Sequence, residues 1–353
     1  MKFGFGPKWL HMVSVLYGKL QAQLLVNGFQ SVAFDLEQGV RQGDPLSPLL
    51  FNIAVEPLLS LCRQKLSGIH LPGLCFKVSA FADDVVLGLG SGHDVRLALE
   101  CLATYSSASN AKLNVDKCQT LMLGGGGEVG LPVMGQLLEP DAVLTHLGIP
   151  FHAKCFPLPV TWFENLLMKL SSVVSNWQKR HISLIGRIHV LNSRLLSKLW
   201  YLSYFVTWPP WFLKRLKKLI TTFLSDTKWP QVSYSTLCSA KEVGGLGLID
   251  PGLQMVALKG WWLQRMSKPT APQWRELALM NFKERFAPGG WSISVLVTNT
   301  HNRALRYHGL WKDIHKSWVE LEGYSLQDPL KFNEDNPLSE SNLAGEEVEA
   351  YTI

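Results

Sequence analysis

Phe81-Ala82-Asp83-Asp84 sets two adjacent carboxylates between two apolar runs, Leu74 to Ala80 and Val85 to Leu89. Carboxylates this close repel unless a cation lies between them. A divalent metal is therefore a natural partner, and a solvated acidic turn is the bland alternative. A second set is Arg41-Gln42-Gly43: a cation, an amide and a bare stretch of backbone. It suits close approach to a nucleotide, because glycine lacks the Cβ that would collide, although an ordinary loop entering a helix has the same composition. A third set is Lys214, Arg215, Lys217 and Lys218, four bases within one and a half helical turns. Such a row either grips a phosphate backbone or forms the solvated face of a helix packed on its other side.

The elements that carry these groups follow from local pattern. Val, Phe, Cys and Leu on both sides of Ala82-Asp83 favour strands, so the carboxylates sit at the tip of a hairpin. Residues 8–20 have helical apolar spacing and end near Gly18. Gln21 to Val26, Asn27-Gly28 and Ser31 to Leu36 form a second hairpin. Gly39 to Asn52 is a loop feeding a helix, with Ser47 as N-cap, Pro48 at the first helical position and an expected kink at Pro57. His93 to Ser107 is an amphipathic helix. Leu113 to Leu123 is a turn into a strand with Lys117 at the turn, and Gly124 to Gly127 end it as a flexible turn without the Lys-Ser/Thr of a P-loop. Val143 to Phe151 is a short strand or hairpin. Helices are expected over Trp162 to Trp177, Gly186 to Leu202, Trp211 to Leu224 and Leu253 to Met266, with a glycine-punctuated loop from Lys241 to Pro251.

The 353 residues are 47% hydrophobic and 18% charged, a globular composition with length for two domains. Residues 1–318 hold 33 bases and 19 acids, a net of +14, whereas Val319 onward holds nine acids and only Lys331 as a base. A basic body suits a polyanionic partner. The six cysteines have neither zinc-finger nor disulfide-framework spacing, so a reducing, intracellular compartment is expected. No signal peptide and no apolar run of about 18 residues is present, which argues against a membrane partner. The last 30 or so residues have the composition of a disordered tail.

The order of parts is more specific than any one of them. Arg41-Gln42-Gly43-Asp44-Pro45-Leu46-Ser47-Pro48-Leu49-Leu50-Phe51-Asn52 is followed by Phe81-Ala82-Asp83-Asp84, then Leu113-Asn114-Val115-Asp116-Lys117-Cys118, then His146-Leu147-Gly148-Ile149. This series resembles motifs B, C, D and E of the reverse transcriptase domain of non-LTR retrotransposons of the long interspersed (LINE) type. The resemblance runs from about residue 3 to about residue 265. It includes the stretch Lys241 to Asp250, one residue longer than the usual form.

The resemblance implies an α+β fold: an incomplete right-hand polymerase with an antiparallel palm sheet and flanking helices, followed by a mostly α-helical thumb and C-terminal region. The implied divisions are partial fingers and palm over 1–152, thumb and Trp-rich region over 153–268, a helical extension over 269–320 and an acidic tail over 321–353. Asp83 and Asp84 would ligate catalytic magnesium ions, and Lys117 would sit near the departing pyrophosphate. Arg41, Gln42, Gly43 and Ser47 would line the nucleotide and template side. His146, Leu147 and Gly148 would form a primer grip, where the family more often has an aromatic in place of His146. The implied partners are an RNA template, a DNA primer or target and deoxynucleoside triphosphates. The implied location is nucleus or cytoplasm.

The family's remaining metal-bridging Asp belongs to a motif A upstream of motif B. Ala33-Phe34-Asp35 imitates it, but only five residues separate Asp35 from Arg41. The helix and hairpin that should follow motif A are already the elements at 8–36, so Asp35 is expected to be a surface carboxylate on the return strand. The chain thus reads as starting after motif A, with an incomplete two-metal site and no polymerisation by itself. Two further readings stay open: a polymerase completed by a segment outside this chain, and a basic RNA- or DNA-binding module without catalysis.

Overall fold

In the computed structural model the described residues are 3–36, 39–71, 74–123, 134–153, 158–225 and 232–267, with Trp274, Ala278, Leu310, Asp313, Ile314, Lys316 and Ser317. The chain divides into two units. The first comprises Met1–Leu66, Lys77–Leu87 and Leu97–Ala111, and the second Ser67–Phe76, Gly88–Arg96 and Lys112–Ile353.

The first unit opens with α1 (Pro7–Tyr17), started by a proline at its first turn and closed at Gly18. Then come β1 (Gln21–Ala22), β2 (Leu25–Val26), β3 (Phe29–Gln30) and β4 (Phe34–Asp35). β2 and β3 pair antiparallel around Asn27 (φ 52°) and Gly28 (φ 87°), the two positive φ values of a type I′ turn. β1 pairs with β4, placing Gln21 opposite Asp35. The expected long hairpin is therefore two short ladders. α2 (Ser47–Lys65) continues through Pro57 for 19 residues and buries Leu58, Leu59 and Cys62.

β5 (Ile69–Leu71) and β6 (Leu74–Phe76) pair in the second unit. β7 (Val78–Phe81) and β8 (Asp84–Leu87) form the expected carboxylate-bearing hairpin in the first unit, with β7 against α2. α3 (Gly92–Ser109) spans the division between the units. Its first-unit part buries Ala98 and Cys101, and Tyr105 Oη donates to the Ala54 carbonyl of α2 at 3.0 Å.

The rest of the chain belongs to the second unit. A 3-10 turn over Val115–Lys117 leads into β9 (Gln119–Thr120), which pairs parallel with β10 (Gln136–Leu137). β11 (Val143–His146) and β12 (Ile149–His152) form the expected hairpin. α4 (Val160–Gln178), α5 (Leu184–Val190), α6 (Ser197–Ser203), α7 (Pro210–Leu224), α8 (Tyr234–Cys238) and α9 (Pro251–Ser267) follow. Every strand among the described residues lies in a two-stranded ladder. The coarser expectation, helices with small and mostly antiparallel sheets, holds.

The core of the second unit is helical. α7 buries Phe212, Leu216, Ile220 and Phe223, spaced four, four and three residues apart, and α4 buries Phe163, Leu170 and Val174 against it. Phe163 meets Trp208, Trp211 and Phe212 edge-on at centroid distances of 5.8 to 6.1 Å. Fully burying each such side chain contributes roughly 1.5–3 kcal/mol.

The helix expected over Gly186 to Leu202 contains a π-helical segment, Leu191–Leu196, between α5 and α6. Leu191, Leu195 and Leu196 of this segment are all buried in the core. The glycine run Gly124 to Gly127 and the acidic tail lie outside the described residues, as does most of 269–320.

Candidate functional site

The tip of the β7–β8 hairpin is Ala82-Asp83, between the paired residues Phe81 and Asp84. Ala82 has φ 52° and Asp83 does not have a positive φ, the pattern of a type II′ turn, whose first central residue is normally glycine. An alanine there carries backbone strain. Asp83 and Asp84 are exposed, and their carboxylates make no hydrogen bond or ion pair among the described residues. No cluster of three His, Cys, Asp or Glu side chains able to hold a metal is found among those residues. Phe81 beside the pair is 67% exposed and Val85 is 37% exposed. Asp35 is where the sequence placed it, exposed on β4 and accepting a hydrogen bond from Gln21 Nε2 at 2.9 Å.

The loop before α2 differs from its expected form. Ser47 is the first helical residue rather than the N-cap, and it makes no capping bond. It is buried, and its hydroxyl lies 2.9 Å from Tyr17 Oη. Asp44 takes over at the helix entrance. Its Oδ1 accepts the Leu46 N–H at 3.0 Å and its Oδ2 accepts the Tyr17 hydroxyl at 2.6 Å. The Tyr17 hydrogen bond, the Leu46 N–H and the Arg41 charge hold this carboxyl below its ordinary range, against a smaller opposing effect of desolvation.

Arg41 is committed as well. Its guanidinium lies 3.1 Å from Asp44 Oδ2, 4.9 Å from the Tyr17 ring centroid and 3.3 Å from the Leu16 carbonyl, which it donates to. Gln42 and Gly43 remain exposed. Gly43 has φ 85° with nothing within 4 Å of where a Cβ would stand, so its backbone is open. Tyr17 and Asp44 were missed by sequence reasoning, since their pairing spans 27 residues.

Lys117, His146, Leu147, Gly148 and the α7 row belong to the second unit, whereas Arg41, Gln42, Gly43, Ser47, Asp83 and Asp84 belong to the first. Lys117 is exposed at the end of its 3-10 turn. Leu147 (φ 49°) and Gly148 (φ 77°) form the type I′ tip of the β11–β12 hairpin. Tyr201 holds that tip: its hydroxyl donates to the Leu147 carbonyl at 3.0 Å, and its ring would lie 3.3 Å from a Cβ on Gly148.

The basic row is divided by function. Lys217 is withdrawn from it, at 3.1 Å from Asp250 Oδ2 and 5.1 Å from the Tyr234 ring centroid. Arg215 lies over Trp211 and 3.9 Å from Glu164. Lys214 and Lys218 are exposed without a partner among the described residues.

The glycine-rich loop Gly244 to Asp250 is a plug rather than a phosphate cradle. The amides of Gly244, Gly245, Leu246, Gly247 and Leu248 all donate to backbone carbonyls. Asn192, in the π-helical segment, donates to the Gly247 carbonyl at 2.9 Å and accepts the Ile249 N–H at 3.1 Å. No local sequence signal marks Asn192 for that task. Asp94 is different. It is fully buried and accepts the N–H groups of Ser67, Gly68 and Gly90 at 2.8 to 3.0 Å. The stretch Ser91-Gly92-His93-Asp94 has helix-start spacing that could have marked it.

A family model for reverse transcriptase (RNA-dependent DNA polymerase) matches residues 2–183. The chain belongs to the reverse transcriptase family. An uncharacterised 149 kDa protein of transposon TX1 from Xenopus laevis is 28% identical over 289 residues, 80% of this chain and 22% of that protein. A Pol polyprotein of a type-1 retrotransposable element R2 from Popillia japonica is 25% identical over 189 residues, 50% of this chain and 30% of its own length. That of the type-2 element R2DM from Drosophila melanogaster is 35% identical over 99 residues, 28% of this chain and 9% of its own. These relatives bear out the resemblance to non-LTR retrotransposon reverse transcriptases. This reverse transcriptase chain spans less than a third of the length of each. The family match covers Asp83, Asp84, Lys117 and the His146–Gly148 turn, and ends before the α7 row.

Proposed function

We propose that this chain is the part of an RNA-directed DNA polymerase that carries Asp83 and Asp84 of a two-metal site and binds a template–primer, without polymerising by itself. The observation that carries the reading is the pair of exposed carboxylates, unpartnered among the described residues, on a strained hairpin tip in a chain of the reverse transcriptase family. The donor set fits magnesium, which takes one or two protein carboxylates and completes its shell with water and substrate phosphates. When bound, magnesium supplies activation of a primer 3′-hydroxyl and stabilisation of the leaving oxygen.

Asp83 and Asp84 present the charge that holds the ions, Asp83 from the turn and Asp84 from the first position of β8. Gln42 and Gly43 offer an amide and open backbone to the nucleotide, while Arg41 supports them through Asp44 rather than touching substrate. Lys117 is the candidate proton donor toward pyrophosphate. The His146–Gly148 turn, held by Tyr201, is the candidate primer grip. Lys214 and Lys218 contact phosphates. A carboxylate bridging both metals is the part not identified in this chain. Its loss costs several kcal/mol of transition-state stabilisation, at about 1.4 kcal/mol per tenfold in rate.

The test is primer extension on an RNA template with magnesium or manganese, beside equilibrium binding of the same template–primer at low salt. Binding without incorporation is expected. Incorporation that disappears in Asp83→Asn would show a complete site and overturn the inactivity, and absence of binding would remove the template–primer reading.

A further inference from the structure

The C-terminal part of the second unit is tied to the start of α7. Thr207 Oγ1 donates to Asp313 Oδ2, and Lys259 Nζ lies 3.5 Å from the same oxygen. Lys259 and Ser317 are buried, and Ile314 is fully buried, so Asp313, Ile314 and Ser317 are seated rather than trailing. Thr207 stands three residues before Pro210, where α7 begins. The exposed bases Lys214, Arg215 and Lys218 follow on that helix, the last roughly 12 Å along the axis from Pro210. From Val319 onward the sequence holds nine acids and a single base. Glu320 and Glu322 lie three and five residues past the buried Ser317, a reach of roughly 10–18 Å when extended. The anchored root beside the start of α7, the reach and the opposite charges make this helix the basic element the acidic segment meets first.

We infer that the acidic segment 319–353 docks on the α7 row of Lys214, Arg215 and Lys218 and competes there with nucleic acid. The competition rests on the proposed binding of nucleic acid at this row; the docking does not. Single exposed ion pairs are weak and screened by salt, but a tether raises the local concentration of the acidic segment to about millimolar. The device is an intramolecular polyanion that yields to a longer or more highly charged one.

The test uses the full chain and a variant in which the nine acids after residue 318 are changed to Asn or Gln. The variant is expected to bind a short RNA–DNA hybrid about tenfold more tightly at roughly 50 mM salt, with the gain gone by about 200 mM. Lys214→Gln with Lys218→Gln should remove the gain. Zero-length carbodiimide cross-linking of the unmodified chain, read by mass spectrometry, should join Lys214 or Lys218 to Glu320, Glu322 or Asp328. Equal affinity of chain and variant would overturn the competition. Cross-links spread over all lysines without preference would overturn the docking. Preferred cross-links in a chain that binds no hybrid would instead retain the docking and sink the nucleic-acid reading of the row.

Discussion

Asp94 shows how a single carboxylate becomes structural. Burial pushes its carboxyl up, and the backbone N–H groups of Ser67, Gly90 and Gly68 more than offset this, leaving it below the ordinary range. A depressed folded value means its contribution is complete above the unfolded value of about 3.9 and is lost as pH falls through the lower folded value. Asp94→Asn should cost about 2–4 kcal/mol at neutral pH, because an amide cannot accept three donors as a carboxylate does. Denaturant melts of both chains from about pH 6 down to pH 2 should show the difference shrinking toward the acid end; a constant difference would refute the assignment. At Tyr17, removing the hydroxyl leaves Asp44 and buried Ser47 short of a partner. Tyr17→Phe should destabilise the first unit by about 1–2 kcal/mol, measured in the same way.

Turns and helices answer at the scale of the element. The β11–β12 turn depends on one distant hydroxyl, that of Tyr201. Tyr201→Phe should speed amide exchange across Val143–His152, with a stability loss of about 1 kcal/mol and little change elsewhere. Unchanged exchange would remove Tyr201 as the anchor. At Gly245 a Cβ would stand 2.0 Å from the Ser239 carbonyl oxygen, a backbone atom with no room to move. Gly245→Ala should therefore destabilise the second unit by about 3 kcal/mol or more, seen as a lower urea midpoint, because the loop's whole ladder must shift.

Charge is a property of the whole molecule, and the structure separates bases that look equivalent on paper. Lys214 and Lys218 are free of protein partners among the described residues, whereas Lys217 is paired with Asp250. Lys214→Gln with Lys218→Gln should lower the slope of log affinity against log salt for template–primer binding by up to about 2, leaving stability unchanged. Lys217→Gln should do the reverse: a stability loss of about 1 kcal/mol and a nearly unaltered slope. Matching slopes for the two variants would mean that the row acts as undivided charge.

What the chain states about itself locally came through in the fold. Asn27-Gly28 makes a tight turn from its own backbone preferences, and Phe81-Ala82-Asp83-Asp84 sits at a hairpin tip because apolar strand formers flank it. α7 shows its buried stripe because a period of 3.6 is written into adjacent residues. The order of motifs was enough to identify the family. Other features depend on partners far away in sequence. Ser47 is drawn from capping to Tyr17, 30 residues away, and Lys217 is taken from the basic row by Asp250. Asn192 reaches 55 residues to the glycine loop, and Asp313 reaches 106 residues to Thr207. A residue's type states what bonds it is able to make. Which bond it makes depends on which groups the packed core brings within about 3 Å, and that is decided only in three dimensions.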